Sequence, residues 1–268
     1  ANVSTGYSMY LSTGSSSCLI ERNRVRNLFG GAPASTTACY ALACIVSATV
    51  GSENKFINNL VSDINTNGTI YGLYLSGAGY VQAYHNTISL DQTAATGTTT
   101  TYGVYATGTA GVDVRNNIIS VRRGGAGTKY CAYYSTISGV TSNNNDFYLN
   151  SAAGTNYVAY DGVTSFATLA AYQTTNPTKD PQSVSINPGF SNPGIQNYQP
   201  TEATLDNLGL NVGVVVDITG ATRGTTPDIG AYEFSVAPID AGVYALVSPG
   251  TSGCYSSTEN IDVTIKNY

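Results

Sequence analysis

Apolar and polar positions alternate over short stretches of this chain, and the same stretches return at nearly constant intervals. The stretch Tyr71–Tyr74 returns as Tyr102–Tyr105, an offset of 31 residues (102 − 71). Short alternating stretches predict half-buried β-strands, and repetition at this length predicts a stack of similar units. A helical pattern is convincing only over 166–172, where Phe166 and Leu169 share one face of the predicted helix.

Each repeat contains the same three kinds of position, and the repeats are 27 to 33 residues apart (157 − 130 and 40 − 7). An aromatic position comes first, as Tyr7, Tyr40, Tyr71, Tyr102, Tyr130 and Tyr157. Two residues later stands an apolar residue that we expect to face the core, as Met9, Leu42, Leu73, Val104, Ala132 and Ala159. An asparagine follows later in each repeat, as Asn23, Asn54, Asn86, Asn117 and Asn145.

Stacking explains this arrangement physically. One such unit cannot bury its apolar face, but stacked units can, with equivalent residues about 4.8 Å apart. Stacked asparagines can pass amide hydrogen bonds from one coil to the next, and asparagine also tolerates left-handed backbone angles at a bend. We therefore predict an all-β fold, a solenoid of about six coils, in which the five asparagines are structural rather than catalytic.

The pattern resembles the right-handed parallel β-helix of the pectate-lyase-like superfamily, from Tyr7 to about Phe234. The motif Asp228–Glu233 (DIGAYE) is similar to the segment that closes the β-helix domain of bacterial surface proteins. The resemblance implies a β-helix domain over 1–234, with a C-terminal cap over about 161–234. In that cap we expect a charged network of Asp217, Arg223, Asp228 and Glu233. A β-propeller fits less well, because its blades need about 40–50 residues each.

The remaining residues have a different pattern. Residues 235–244, which contain Pro238, are expected to form a linker. Residues 245–268 resemble the first strands of an immunoglobulin-like β-sandwich, with an alternating strand over Ile261–Ile265. About 24 residues cannot complete such a domain, so we expect the chain to continue beyond residue 268 in a larger protein.

Composition narrows the possible functions. Charged residues make up only 10% of the chain and the net charge is −5, so a basic surface for nucleic acid is not expected. No apolar stretch approaches the roughly 20 residues needed to span a bilayer. The low charge and the start of a β-sandwich at the C-terminus, together with the resemblance to bacterial surface proteins, indicate an extracellular or bacterial cell-surface location.

The cysteine count is odd. Cys18, Cys39, Cys44, Cys131 and Cys254 are present, and we expect at least one disulfide, although the sequence does not decide the pairing. Cys254 would then be free or would pair with a residue outside this sequence. A metal site is not expected, since the chain has no CxxC motif and a single histidine.

A column of tyrosines is the most suggestive candidate site. On the first strand of each coil the neighbours of the core residues are expected to face outward. They include Tyr10, Tyr74, Tyr105, Tyr133 and Tyr160, with Ala43 interrupting the column. The rings would either stabilise neighbouring coils by cross-strand pairing or receive the flat face of a sugar or a partner protein.

Catalytic residues are less evident. The lyases of the resembled superfamily use clustered carboxylates for calcium together with a basic Arg or Lys. No acid or base occurs among the residues that flank the core positions of the first strands and are expected to face outward. Asp113 and Arg115 are the alternative catalytic pair, although an acid and a base on one strand more often form a solvated ion pair. Asp91 with Arg122 and Arg123 is interpreted in the same way. His85 is expected at the surface of a bend.

These observations favour a non-catalytic adhesin or interaction module, a rigid rod that presents a tyrosine-rich face to an extracellular glycan or surface protein, with no cofactor. The alternative is a carbohydrate-active enzyme, either a polysaccharide lyase or a glycoside hydrolase, which would need acids clustered around a groove. Calcium is possible in that case but is not indicated. Ice binding would require a flat threonine array, whereas the threonines at 98–101 lie in one loop.

Overall fold

The computed structural model describes residues 5–108, 110–236, 241–250, 253 and 258–267. The chain forms two compact units, Ala1–Phe234 and Ser235–Tyr268. The first is a parallel β-solenoid, whose strands are numbered here in chain order. The predicted all-β solenoid is therefore confirmed, although it has about five full turns rather than six, because the last coil contributes a strand to only one of three sheets.

The three sheets follow the solenoid axis. The first contains β1 (Thr5–Leu11), β4 (Ala38–Cys44), β7 (Ile70–Leu75), β10 (Thr101–Ala106), β13 (Lys129–Tyr134) and β16 (Asn156–Tyr160), with β17 (Ser165–Phe166) antiparallel at its end. The second contains β2 (Leu19–Glu21), β5 (Asn54–Ile57), β8 (Val81–Tyr84), β11 (Val112–Arg115) and β14 (Val140–Asn143). The third contains β3 (Arg24–Val25), β6 (Leu60–Val61), β9 (Thr87–Leu90), β12 (Ile118–Val121) and β15 (Asp146–Leu149).

Equivalent residues pair in register from coil to coil. Tyr71 pairs with Tyr102, and Leu73 pairs with Val104. The predicted inward positions lie in the apolar core, where Leu42, Leu73 and Val104 are buried. Since each apolar residue lies directly above its equivalent, the core is continuous along the solenoid.

An asparagine ladder crosses the bend between the second and third sheets. The backbone N–H and the side-chain amide of Asn86 both donate to Oδ1 of Asn117, at 2.9 and 3.0 Å. Asn117 donates in the same way to Asn145, at 2.9 and 3.0 Å. Each carboxamide oxygen thus accepts two hydrogen bonds from the preceding coil. The members of the ladder are Asn23, Asn59, Asn86, Asn117 and Asn145.

The prediction that Asn54 belongs to this ladder is wrong, because Asn59 occupies the position. The loop before β5 spans residues 45–53, whereas the equivalent loop before β8 spans only 76–80, so a constant offset selects the wrong asparagine. Asn54 instead begins β5, where its Oδ1 accepts from the Cys18 N–H at 3.1 Å and its amide donates to the Ser15 carbonyl at 3.1 Å.

Left-handed residues precede the ladder in every coil and make the bend. Asn58, Asn116 and Asn144 have φ of 55°, 57° and 54°. His85 occupies the same column at φ 54° and is fully buried, so the prediction that it is a surface residue is wrong. The amide of Asn116 donates to His85 Nε2 at 2.9 Å, which leaves the proton on Nδ1, 3.0 Å from the Asp228 carbonyl. Burial lowers the pKa of His85 well below its usual range.

The ladder ends on a carboxylate. Asn145, its last member, donates its side-chain amide to Asp180 Oδ1 at 3.2 Å and its backbone N–H to the Ser183 hydroxyl at 2.9 Å. The Ser183 hydroxyl itself donates to Asp180 at 2.6 Å. Asp180 is fully buried. A buried acceptor therefore satisfies the final donors of the ladder.

A short helix covers the C-terminal end of the core. The helix α1 (Leu169–Thr175) begins after Thr168, whose hydroxyl accepts from the Ala171 N–H, so it starts later than the predicted 166–172. Leu169 and Tyr172 are buried in the core. Three 3₁₀ turns also occur, at Ile137–Gly139, Pro193–Ile195 and Ala203–Leu205.

Residues 187–234 are here called the return segment. They do not lie over the end of the solenoid, as a cap would. They run back along its side, as three contacts show: Leu208 accepts from Asn144, Leu210 from Asn116 and Val216 from Asn58. The polar side chains of the left-handed bend column supply these hydrogen bonds. The segment also covers the third sheet, which is why all four residues of β9 and of β12 are buried.

The predicted charged network lies within the return segment. Arg223 donates to Glu233 at 3.0 Å and to the Asn58 side chain at 2.8 Å. Asp217 accepts from the Glu233 N–H at 2.9 Å, and Asp228 accepts from the Phe234 N–H at 2.5 Å. Burial raises the pKa of Asp228 to about 6. These groups fasten the segment to the solenoid, since Asn58 belongs to the bend column.

The second unit contains two antiparallel strands, β18 (Ala241–Ser248) and β19 (Asp262–Asn267). The first begins inside residues 235–244, so the linker prediction is wrong from Ala241 onward. Cys254 lies outside the described residues. Cys18, Cys39, Cys44 and Cys131 are all free thiols, so the predicted disulfide is wrong for these four. Within the described ranges, no helix is long and apolar enough to cross a membrane.

Replacement of Asn117 by alanine tests the ladder. We expect Asn117→Ala to lower the free energy of unfolding by about 3 kcal/mol, because it leaves the buried donors of Asn86 without their acceptor. Asn65→Ala is the control, since the side chain of Asn65 donates one hydrogen bond, to the nearby Asp63 carbonyl at 3.4 Å, and its loss should cost less than about 0.5 kcal/mol. Urea denaturation measures both, and equal losses would contradict the ladder's role.

Acidification tests the buried histidine. A histidine whose folded pKa is depressed contributes stability that is complete above about pH 6.5 and is lost as pH falls below it. Between pH 7.5 and pH 5 we expect His85 to contribute a loss of as much as about 2 kcal/mol. Asp228 acts in the opposite sense, because its raised pKa favours the folded state as pH falls through 6.

The variant His85→Asn separates the two effects, because asparagine is the residue of this column in three other coils. Between about pH 7.5 and about pH 5 we expect the free energy of unfolding to decrease less for the variant than for the wild-type protein. Urea denaturation at both pH values measures this difference. A parallel pH dependence of the two proteins would show that His85 does not titrate on unfolding.

Candidate functional site: a tyrosine surface on the first sheet

Two columns of tyrosine, not one, lie on the outer face of the first sheet. The predicted column of Tyr10, Tyr74, Tyr105, Tyr133 and Tyr160 is at least partly exposed. The aromatic column at the start of each strand is also at least partly exposed and lies beside it, as Tyr7, Tyr40, Tyr71, Tyr102, Tyr130 and Tyr157. Strict alternation would have placed this second set on the inner face, together with Leu73 and Val104.

A break in the alternation of the strands brings both columns to one face. In β7, Tyr71 and Tyr74 are half-buried while Gly72 and Leu73 between them are buried. A Cβ atom on Gly72 would lie 2.5 Å from Cγ2 of Ile88, a core residue, so this position faces inward. Two successive inward positions return the third residue to the outer face.

The residue directly before the core residue of each first strand, such as Gly72, was expected to face outward. For most coils this prediction is wrong. Gly72 and Gly103 point at the core side chains Ile88 and Ile119, and a Cβ on Gly103 would lie 2.2 Å from Ile119 Cγ2. The equivalent residues Ala41, Cys131 and Val158 are buried as well. Small residues are needed because a second inward side chain on one strand competes with the third sheet for core space. Of the residues at this position, Ser8 alone is exposed.

The rings of the two columns form a herringbone. Within each column neighbouring rings stack, as Tyr71 and Tyr102 do at 5.0 Å and 9°, and Tyr105 and Tyr133 at 5.1 Å and 10°. Between columns the rings meet edge to face, as Tyr102 and Tyr105 do at 5.0 Å and 70°. At the interruption, Ala43 is fully buried, and the rings of Tyr40 and Tyr74 meet there at 4.7 Å.

Stacking decides which parts of the rings a ligand can reach. Tyr102 stacks on Tyr71 and on Tyr130, and Tyr105 stacks on Tyr74 and on Tyr133, so both faces of each inner ring lie against neighbours. Ring edges and hydroxyl groups are what remain for solvent. A sugar that stacks on an aromatic face would find both faces of these inner rings already covered. The middle of the surface instead offers rows of phenol hydroxyls on a rigid apolar base.

Mutual burial of the rings changes their acidity. Burial, together with the proximity of Tyr160 and Tyr102, raises the pKa of Tyr133 to about 12. Burial also raises the pKa of Tyr40, Tyr102 and Tyr105. These four hydroxyls are therefore neutral at physiological pH and act as both hydrogen-bond donors and acceptors.

Asp113 and Arg115 form the predicted ion pair on the second sheet. The guanidinium Nε lies 2.8 Å from Asp113 Oδ1, and the Tyr84 hydroxyl donates to Asp113 Oδ2 at 2.7 Å. Burial raises the pKa of Asp113, although both partners oppose this. Each carboxylate oxygen thus already has a partner. No group of three or more His, Cys, Asp or Glu side chains able to hold a metal ion occurs among the described residues.

Asp91, Arg122 and Arg123 do not form the expected surface ion pairs in the described part of the chain. Asp91 accepts from the Tyr198 hydroxyl at 3.1 Å and from Ser89 at 3.1 Å. Arg123 is buried and donates to the carbonyls of Thr66 and Gly68, at 2.5 and 2.9 Å. Backbone carbonyls at the bend replace the carboxylate as its partner, so Arg123 is a structural residue.

No protein-family model, curated protein or solved structure matches the chain. The parallel β-solenoid is therefore established from the structure itself, by its in-register parallel sheets. Membership of the pectate-lyase-like superfamily and the immunoglobulin-like character of the second unit stay predictions.

Alkaline titration tests the tyrosine surface. A phenol whose folded pKa is raised favours the folded state below pH 10 and ceases to do so as pH rises through the folded value, near 12 for Tyr133. We expect tyrosinate absorbance at 295 nm to increase above pH 10 together with loss of the β-sheet circular dichroism signal. The guanidinium-unfolded chain, as control, should titrate near pH 10. Ionisation of all rings near pH 10 with the fold intact would contradict the packing.

Proposed function

We propose that the chain is a non-catalytic interaction module of a secreted or cell-surface protein, which binds its partner through the tyrosine surface. The observation that carries the proposal is the herringbone of tyrosines on one face of the first sheet, which extends from Tyr7 to Tyr160 with Ala43 as its interruption. Coil stability alone needs one aromatic column with cross-strand stacking, but here two columns present their hydroxyls on the same side. Tyrosine is enriched at the centres of protein interfaces.

Stacking within the columns supports a protein partner over a glycan. Flat sugar faces need free ring faces, and the inner rings use theirs on one another. Ring edges and neutral hydroxyls instead suit the mixed apolar and polar surface of a folded protein. A rigid base also lowers the entropic cost of binding, because the rings already hold each other in place.

The test compares ring removal with hydroxyl removal. A screen of immobilised extracellular proteins first identifies the partner. We expect the double variant Tyr74→Ala with Tyr105→Ala to bind that partner at least about tenfold more weakly. Tyr74→Phe with Tyr105→Phe retains the stacking and should cause a smaller loss. Tyr148→Ala is the control, since Tyr148 lies on β15 of the third sheet.

Three results would count against the proposal. Unchanged partner binding by the alanine variant would exclude the tyrosine surface as the site. Binding on a glycan array that the alanine variant abolishes would retain the surface but replace the protein partner by a sugar. Formation of reducing ends or unsaturated products from a polysaccharide panel would show an enzyme instead, and Asp113→Asn would then be the first variant to assay.

A further inference from the structure

A cavity of about 430 Å³ lies between the third sheet and the return segment, away from the tyrosine surface. Strand β3 and the residue after it supply one wall through Arg24 and Arg26, with Leu60 beside them. The return segment supplies the opposite wall. Its lining side chains are Ile195, Gln196, Asn197, Gln199, Thr219 and Tyr232.

The cavity is positively charged in an acidic protein. Arg24 and Arg26 lie on the same side of β3, since the buried Val25 stands between them. Among the described residues that line the cavity there is no carboxylate. The acid bonded to its wall, Asp217, is buried and already accepts from Thr219, Ala221 and Glu233. The charge of the two guanidinium groups therefore remains uncompensated there.

The two arginines differ in how they are held. The Arg24 guanidinium donates to the Tyr232 hydroxyl at 2.7 Å and lies 5.5 Å from the centre of that ring, which leaves its position fixed. Arg26 is exposed and has no hydrogen-bond or ion-pair partner among the described residues. One oriented and one free guanidinium suit the carboxylates of a ligand, which arginine can bind in a bidentate manner.

The rest of the lining indicates a peptide. Three amide side chains, Gln196, Asn197 and Gln199, offer both donors and acceptors, which suit peptide N–H and C=O groups. Ile195 stands at the cavity with 76% of its surface exposed, beside the two positive charges. An exposed isoleucine contributes little to the binding of an inorganic anion, but it fits an apolar side chain next to an acidic one.

We propose that this cavity binds an acidic peptide segment of a partner protein, whose carboxylates contact Arg24 and Arg26 and whose apolar side chain packs on Ile195. The site is separate from the tyrosine surface. Its existence does not depend on the function proposed for that surface, and the two fail or succeed in different assays. Binding by charge also makes the interaction sensitive to salt.

Fluorescence anisotropy with a labelled hexapeptide that has two glutamates flanking a leucine tests the proposal. We expect Arg24→Gln with Arg26→Gln to weaken binding at least about tenfold. The matched control is Arg22→Gln, because Arg22 is exposed, precedes β3 and does not line the cavity. Arg26→Gln alone should also weaken binding without disturbing the fold, since it has no partner to lose within the described residues. A peptide with glutamine for both glutamates should not bind.

Each other outcome overturns the proposal. Equal losses in the Arg22 and Arg26 variants would indicate general attraction between charges rather than a site. Binding of free glucuronate or sulfate, but not of the peptide, would assign the cavity to a small anion. Absence of peptide binding to the unchanged protein in low salt would exclude the site. Tyr74→Ala with Tyr105→Ala should leave peptide binding unchanged, and a loss there would place the peptide on the tyrosine surface.

Discussion

Carboxamide hydrogen bonds that run parallel to the solenoid axis hold the second and third sheets at a common bend. Backbone ladders alone fix the spacing of strands within a sheet, but they leave the buried backbone donors at the bends without partners. The asparagines supply the acceptor, since each Oδ1 takes two donors from the coil before it. A bend so satisfied can be fully buried, and the return segment lies directly over it.

Because the return segment lies over that bend, the sheets of the solenoid differ in how far they are exposed. The return segment covers the third sheet and contacts the column of left-handed residues, whereas the tyrosine side chains of the first sheet are at least partly exposed. The first sheet is the one with two tyrosine columns, whose rings bury much of one another's surface. Mutual stacking reduces the apolar ring area that is exposed to water, because the ring faces lie against one another and the edges and hydroxyls face the solvent. Exposure of the tyrosine rings on the first sheet and burial of the third sheet are thus two results of one asymmetry.

Much of the architecture could be predicted from the repeat, because in-register stacking places like residues above one another and leaves a visible period. The column of Leu73 and Val104 and the ladder members Asn86, Asn117 and Asn145 follow from that period. Asn59 was missed because a longer loop shifts it. The doublet Asn58-Asn59, which matches Asn116-Asn117 and Asn144-Asn145, was the signal that identifies it.

The surface was harder to predict, for reasons that concern contacts distant in sequence. Alternation assigns Tyr71 to the inner face, and the glycine that breaks the alternation is recognisable only once Ile88 is known to fill the space beneath it. His85 is buried because Asp228, 143 residues later, closes over it. Arg24 and Arg26 meet residues of the return segment that no local pattern relates to them. The last two cases depend on the path of the chain after the last coil.

The asparagine ladder has a direction, since every amide donates toward the C-terminal coil and the series ends on Asp180. Each internal asparagine accepts from the coil before it and donates to the coil after it. A duplicated coil inserted between two others would therefore join the ladder without altering its terminating carboxylate. Gene duplication can therefore lengthen or shorten such a rod by whole coils. The helix and the carboxylate that close its C-terminal end would be inherited unchanged, so that length can evolve separately from termination.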